Sequence, residues 1–421
     1  MSRSIRLVLV MAGVLVIAST AQAQCPGYNS SAGFATNLAC EYATSVRATG
    51  SVSATTTNSL SATLATQLSQ LPIAASATGT GITIGASGLP TVSTEGLGTI
   101  LTQRGTTIGK HKLLFSFNFQ RFGFNTVDGI SLKTLPLVVN YNPGLNNIYL
   151  QDQSDISFRV DQYTAIATFG LFRNVDVSFI LPFSNVQLST PTSATLHSIA
   201  YSGGCSSTAC SGSPTNVSSV LITPNPLALP GSATGIGDVR VNVKAKVVGG
   251  EGKNAMALGT EVRFPSGDAV NYLGTGAYGV KPYMVFSHRG RLTPNFSLAY
   301  QWNGSSVLNN FDNLPGSFLY SGGADLRVSK KVTFTGEFLG QYVINAPRLR
   351  LVNVIIPVLY TATGVPSVQA YKGSYFMNNL GGGFKISPIR HLTFSASALV
   401  PLDDAGLRSS LVPLFGAAYQ F

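Results

Sequence analysis

From Lys112 to the last residue, apolar and polar positions alternate with a period of two in one segment after another. Successive side chains on a strand point to opposite faces, so this pattern predicts strands with one apolar and one polar side. The first runs over Lys112–Phe124 and puts Phe115, Phe117 and Phe119 on one face. Ile156–Leu171 and Val175–Leu188 follow across Arg173 and Asn174, then Gly237–Val248 and Ala255–Phe264 across Gly249 and Gly250. Tyr278–Arg289 and Leu292–Trp302 turn at Gly290, and Phe318–Val328 and Val332–Ile344 turn at Ser329, Lys330 and Lys331. Ser374–Ile386 and Leu392–Leu402 turn around Pro388, and Leu411–Phe421 completes a set of about twelve. The turns alternate with longer connections at Asn125–Asp155, Ser189–Ile236, Asn303–Ser317 and Asn345–Gly373. An even strand number, with short turns on one side and long loops on the other, is the pattern of a transmembrane barrel. The expected fold is all-β, an antiparallel up-and-down transmembrane β-barrel preceded by a weakly structured N-terminal segment.

The two faces have different chemistry. In Gly237–Val248, Val239, Val241, Val243, Ala245 and Val247 alternate with Asp238, Arg240, Asn242, Lys244 and Lys246, which suits lipid on one side and an aqueous lumen on the other. Pairing Val248 with Ala255 sets Glu261 opposite Asn242 and diagonal to Arg240 and Lys244. The expected lumen-lining set is Asp238, Arg240, Lys244, Lys246, Glu261, Arg263, Asp325, Arg327, Glu337 and Lys385. Outward positions carry Phe296, Leu298, Tyr300, Trp302, Phe334, Phe338 and Tyr342, suited to an interfacial aromatic girdle. On the final strand Phe415, Ala417, Tyr419 and Phe421 share a face. Phe415, Tyr419 and Phe421 are expected to form an assembly signal for the barrel-assembly machinery, because the last strand must pair with the first to leave no edge in lipid.

Composition supports this class. Charged residues are 10% of the chain, against about 25% in soluble domains, and mean hydropathy is +0.25. After the N-terminus no 18 consecutive apolar residues occur, which leaves a closed barrel as the way to satisfy every backbone group in a membrane. Arg3 and Arg6, the apolar run Leu7–Ala18 and the small residues Ala21-Gln22-Ala23 read as a signal peptide over residues 1–23. Gln24 before Cys25 does not suit lipoprotein processing. Residues 24–110 are rich in Ala, Ser, Thr and Gly and too poor in large apolar groups for a core of their own, so they are expected to be a tail, a periplasmic appendage or a segment at the mouth or inside the lumen. Within them Thr55–Leu71 has Leu60, Leu64, Leu68 and Leu71 at helical spacing, and Gly79–Gly98 reads as short strands or turns. Residues 111–421 are the barrel, and the expected location is the bacterial outer membrane.

The formal charge of +11 falls to +9 without Arg3 and Arg6. The basic residues are scattered rather than interleaved with aromatics, so no nucleic acid is expected; a cationic lumen and contacts with outer-membrane lipids account for them. The cysteines form two local pairs, Cys25 with Cys40 and Cys205 with Cys210, read as disulfides in an oxidising compartment. No metal is expected, since Cys205 and Cys210 lack neighbouring histidines and the loop acids Asp152, Asp155, Asp403 and Asp404 lack EF-hand spacing. Gly274-Thr275-Gly276-Ala277-Tyr278-Gly279 matches a dinucleotide fingerprint literally, but a strand follows where a helix is needed. Four histidines are present, His111, His197, His288 and His391; His288 follows Ser287, and adjacent strand residues face opposite ways. No GxSxG elbow occurs. Neither a catalytic residue nor a cofactor is expected.

Gly235-Ile236-Gly237-Asp238-Val239, then Leu258–Asp268 with its Pro265-Ser266-Gly267-Asp268, then Leu273-Gly274-Thr275-Gly276, form a recognisable series, as does Thr106–Lys110 before the first strand. Over roughly Thr99–Phe421 the chain resembles the outer-membrane transporter-like barrels grouped with the meta-pathway of phenol degradation. That resemblance implies a passive channel for small, often aromatic or hydrophobic molecules, with no cofactor and no catalytic residues. The alternatives are a structural or adhesin barrel and, further off, an outer-membrane hydrolase.

Overall fold

The structure, a computed structural model, describes residues 33–35, 61–69, 71–72, 82–84, 90–92, 97–140, 147–206, 209–222, 231–249, 254–309, 311–329, 331–358, 361–389 and 391–421. Twelve strands form the barrel wall: β1 (Leu113–Val127), β2 (Ser157–Phe172), β3 (Val175–Ser189), β4 (Arg240–Val248), β5 (Asn254–Arg263) and β6 (Gly279–His288) are its first half. The second half is β7 (Leu292–Asn303), β8 (Ser317–Arg327), β9 (Val332–Val358), β10 (Thr361–Ile386), β11 (Leu392–Pro401) and β12 (Val412–Gln420). Each pairs antiparallel with its sequence neighbour, and β12 pairs with β1, Phe415 opposite Phe119 and Tyr419 opposite Phe115, which closes the barrel. The wall therefore has no open edge, as a chain in hydrocarbon requires. The twelve strands anticipated from the alternation are these twelve.

The outward face is a band of exposed apolar side chains: Phe117, Phe179, Phe296, Phe318, Phe334 and Phe376 are each more than half exposed. Such a continuous patch would drive aggregation in water and is matched by lipid. The seam is aromatic too. Phe421 donates its amide to the Leu113 carbonyl at 2.8 Å, and its ring meets Phe115 edge-on at 6.1 Å and Tyr419 at 4.7 Å.

Three details differ from expectation. β4 begins at Arg240 rather than Gly237, because the Asp238 carboxylate turns to accept the amide of Thr275 at 2.8 Å and of Gly267 at 3.2 Å. Asn242 does face Glu261, but a register shift between Lys246 and Val248 sets Val248 opposite Met256 instead of Ala255. Asn345–Gly373 is mostly not a loop: β9 and β10 continue past the wall as one long hairpin, irregular only between Val343 and Ala346, where Asn345 takes a φ of 49°. Pro347, Pro357 and Pro366 argue against a central strand, but outside the barrel this hairpin has free edges on which proline costs no ladder bond.

Two other long connections, Asn125–Asp155 and Ser189–Ile236, also carry strands among their described residues. Strands Leu135–Asn140, Ile148–Ser154, Thr192–Tyr201 and Pro214–Ile222 form a separate four-stranded sheet at the long-loop end. Cys205 and Cys210 are disulfide-bonded at its tip. Residues 61–69 are helical, inside the expected Thr55–Leu71 stretch, and Ile82–Ile84 pairs with Pro90–Val92 inside Gly79–Gly98.

Candidate functional site

The inside of the barrel is not a bare tube. Residues 97–108 cross it near the short-turn end, and the charges of the wall bond to them. A chain inside a barrel must satisfy its own N–H and C=O groups, and here charged side chains do so. Glu337 on β9 accepts the amides of Ile100 and Leu101, the latter at 2.8 Å. Lys385 on β10 donates to the Thr99 carbonyl at 2.7 Å, and Thr333 accepts the Leu97 amide at 3.0 Å. Arg104 forms a two-pronged ion pair with Asp325 on β8 at 2.7 and 2.8 Å. Asp176 on β3 accepts the Ile108 amide at 3.1 Å and pairs with Lys244 on β4 at 3.8 Å, while Lys244 donates to the Arg104 carbonyl at 3.4 Å.

Toward the long-loop end the helix over residues 61–69 is held in the same way. Ser61 shares a 3.1 Å hydrogen bond with the Tyr272 hydroxyl, and Thr63 donates to the Pro347 carbonyl at 3.2 Å. Arg263 at the end of β5 donates to the Ser69 carbonyl at 2.9 Å, a cation at the helix C-terminus where the dipole favours one. Arg263 also reaches Asn303 at 2.8 Å and lies 3.7 Å from Asp238.

Of the residues expected on the lumen, Asp238, Arg240, Lys244, Glu261, Arg263, Asp325, Glu337 and Lys385 are buried. Lys246 and Arg327 are half-buried near the short turns, outside this network; Arg327 donates to the Ser329 carbonyl at 3.4 Å. Phe415 and Tyr419 face outward along the seam with Phe421. Cys25 and Cys40 lie outside the described residues.

Between the internal segment and the wall lies a cavity of about 200 Å³. Leu71, Pro72 and Leu101 line it from the segment. Phe122 and Phe124 of β1 stand there with Leu399 and Val412 of β11 and β12, whereas Arg240, Glu261 and Lys281 come from β4, β5 and β6. A file of rings runs from the cavity toward the long-loop end: Phe122 and Phe124 at 6.2 Å, Phe124 and Phe158 at 5.2 Å, Phe158 and Tyr272 at 6.0 Å. Glu261 takes Arg240 at 3.1 Å and Lys281 at 2.9 Å. Tyr283 crosses above Gly259 to donate to Asn242 at 2.8 Å, and a Cβ on residue 259 would collide with that ring.

Sequence reasoning missed Asp176, Lys281, Phe122 and Phe124, although strand parity alone puts each on the inner face. Arg104 gave no such signal, because it lies in a stretch without periodicity.

Among the described residues no group of three His, Cys, Asp or Glu could hold a metal. His197 and Ser219 share a 2.8 Å hydrogen bond on the outer sheet, but Tyr149 stacks on that imidazole at 4.6 Å and its Nε2 has no hydrogen-bond partner. The third group that would orient a catalytic histidine is therefore missing from this pair.

A family model described as "Putative MetA-pathway of phenol degradation" matches residues 153–401. No curated protein matches the chain. Among solved structures, an outer membrane channel from Pseudomonas putida F1 aligns at 11% identity over 75% of this chain and 97% of that one, with a TM-score of 0.48. The CymD monoaromatic hydrocarbon channel aligns at 9% identity over 75% and 89%, TM-score 0.35. A Pseudomonas aeruginosa FadL homologue aligns at 10% identity over 74% and 90%, TM-score 0.27.

Proposed function

The chain belongs to the family described as putative MetA-pathway of phenol degradation, and we propose that it is a passive outer-membrane channel for small hydrophobic or aromatic molecules. One observation carries this reading: a closed, lipid-facing barrel whose interior holds a cavity with aromatic residues on one wall and charges on the other. Eight strands make a barrel filled by its own side chains and sixteen to eighteen leave a wide aqueous channel, so twelve give a bore that one inserted segment can obstruct. Residues 61–69 and 97–108 act in this reading as a lumenal constriction, and the inner charges serve to hold them and to set selectivity, with no bond made or broken. Where they line the cavity, Phe122 and Phe124 give a flat solute an aromatic surface at little desolvation cost.

The test is single-channel recording of purified full-length protein in planar bilayers, with and without phenol. Discrete openings of small conductance, interrupted more often as phenol is added, are expected. A folded barrel that shows no openings, either intact or after removal of residues 30–99, overturns the channel reading.

A further inference from the structure

The cavity is charged unevenly. Its more apolar side is built by Phe122 and Phe124 on β1, Leu399 on β11 and Val412 on β12, three strands that are consecutive around the wall, with Arg408, itself paired to Asp403, at the edge. Its polar side is built by Arg240, Glu261 and Lys281 on β4, β5 and β6, also consecutive and across the barrel from the first group. On that polar side one carboxylate serves two cations: Glu261 lies 3.1 Å from Arg240 and 2.9 Å from Lys281. Arg240 is 6% exposed, and its Nε–H has no acceptor. The neighbouring cations are already matched, Arg263 by Asp238 and Arg408 by Asp403. One positive charge is left over between a buried guanidinium and a mostly buried ammonium, where an arriving anion is favoured.

We propose that this cavity binds a small organic monocarboxylate with a flat apolar body. The carboxylate sits on Arg240 and Lys281 and adds the second negative charge those cations lack; the ring lies against Phe122 and Phe124. Each part of that ligand follows from the site. One unmatched charge calls for a monoanion rather than a phosphate ester. A volume of about 200 Å³ falls below the ~300–1,000 Å³ of sites for drug-sized ligands, so it suits a single ring. A phenol is neutral at pH 7, since phenolic hydroxyls titrate near ~10, whereas a carboxylic acid near ~4 is fully ionised. The charge therefore separates aromatic acids from the neutral phenols and hydrocarbons of the same shape. This inference rests on the channel reading and sharpens it: the site prefers the acid.

Isothermal titration of the full-length protein in detergent with benzoate and with benzyl alcohol, two single rings that differ in charge, tests the preference. Benzoate should bind at least about tenfold more tightly, ~1.4 kcal/mol, in the intact protein. Arg240→Gln should abolish that difference and leave benzyl alcohol unaffected; Glu261 keeps Lys281, so no carboxylate is orphaned in the wall. Lys281→Gln is the second variant, with Glu261 held by Arg240. Folding of each is checked by the heat-modifiable shift of the barrel band. Equal affinity for the two probes, no binding of either, or an undiminished preference in both folded variants overturns the proposal. Planar-bilayer recording of the same preparation separates the two readings: openings without a benzoate preference leave the channel standing and remove this site, whereas absence of openings removes the channel itself.

Discussion

A single side chain can carry the pH response of the outer sheet. His197 sits in the strand Thr192–Tyr201, outside the barrel wall, with Nδ1 on Ser219, Tyr149 stacked against its ring and Nε2 buried without a partner. Protonation would place a cationic donor where nothing accepts it, so burial lowers its pKa from the ordinary 6.5. The unfolded chain then binds the proton more readily than the folded sheet, and stability rises with pH across that window. The sheet should be fully stable above about 6.5 and lose stability as pH falls through the folded value. Limited proteolysis of residues 192–222 at pH 8 and at pH 5 should show faster cleavage at the lower pH, and His197→Phe should abolish the difference. Cleavage equally fast at both pH values in the unmodified protein would contradict this. The ring's position was not legible from sequence, since Tyr149, His197 and Ser219 come from three strands in two connections, Asn125–Asp155 and Ser189–Ile236, that read as loops. The burial of Arg240, Lys244, Glu261 and Lys385 follows from strand parity, whereas Asp238 precedes β4 and turns to loop amides. The Arg240–Glu261 pair was legible from the register, but the partners of Lys244 and Lys385 were not, because backbone groups of residues 97–108 carry no pattern in side-chain chemistry.

Elements outside the wall are held by small apolar clusters, such as Tyr149 with Ile199, and by a few buried polar contacts. Beyond Asn345 the β9–β10 hairpin is fastened by Asp128, at the turn that follows β1. Its carboxylate accepts from Arg348 at 2.8 and 2.9 Å, from the Leu349 amide at 2.8 Å and from the Gly406 amide at 2.9 Å. Arg348 is stacked in turn over Tyr375 at 4.9 Å and Tyr371 at 5.5 Å. One carboxylate thus ties the hairpin to the loop between β11 and β12. Asp128→Ala removes four hydrogen bonds and leaves a guanidinium without its anion, at a cost of roughly 3–5 kcal/mol by analogy with other broken buried pairs. The barrel should still close, since its ladder does not pass through Asp128. Faster proteolysis within residues 346–358, with an unchanged heat-modifiable barrel band, is the expected result; an unchanged cleavage rate would show that the sheet ladder alone holds the hairpin. Alternation revealed the twelve wall strands, because each has lipid on one side. It stopped at Ile344 and resumed at Ser374, because outside the membrane both faces of the hairpin can be polar and proline is tolerated at its edges.

At the scale of the whole molecule, the wall and the segment inside it divide the work. The wall's stability comes from a closed ladder and a lipid-facing apolar band, neither of which needs residues 30–99. Among the described residues, the segment bonds to the rest of the chain at Ser61, Thr63, Ser69, Leu97 and Thr99. The wall's independence of the segment predicts that a variant lacking Ser30–Thr99 still assembles. Arg104, Gly105 and Ile108 would keep Asp325, Ser287 and Asp176, so the chain would still enter β1 from the same place. Lys385 would lose the carbonyls of Leu97 and Thr99, Arg263 would lose that of Ser69, and Glu337 would lose at least part of its amide cage at Ile100. Water entering the vacated bore would solvate those charges, so their loss of partners need not unfold the wall. Conductance should rise severalfold, and the row of Arg240, Lys244, Arg263 and Lys385 should favour anions. Arg240→Glu together with Lys244→Glu in the same variant should shift the reversal potential toward cation selectivity. Both quantities come from one bilayer experiment under a salt gradient. A folded deletion variant with unaltered conductance would mean that wall side chains, not the segment, close the bore; a rise in conductance without any shift in the double variant would mean that ions pass along the apolar side of the lumen, away from Arg240.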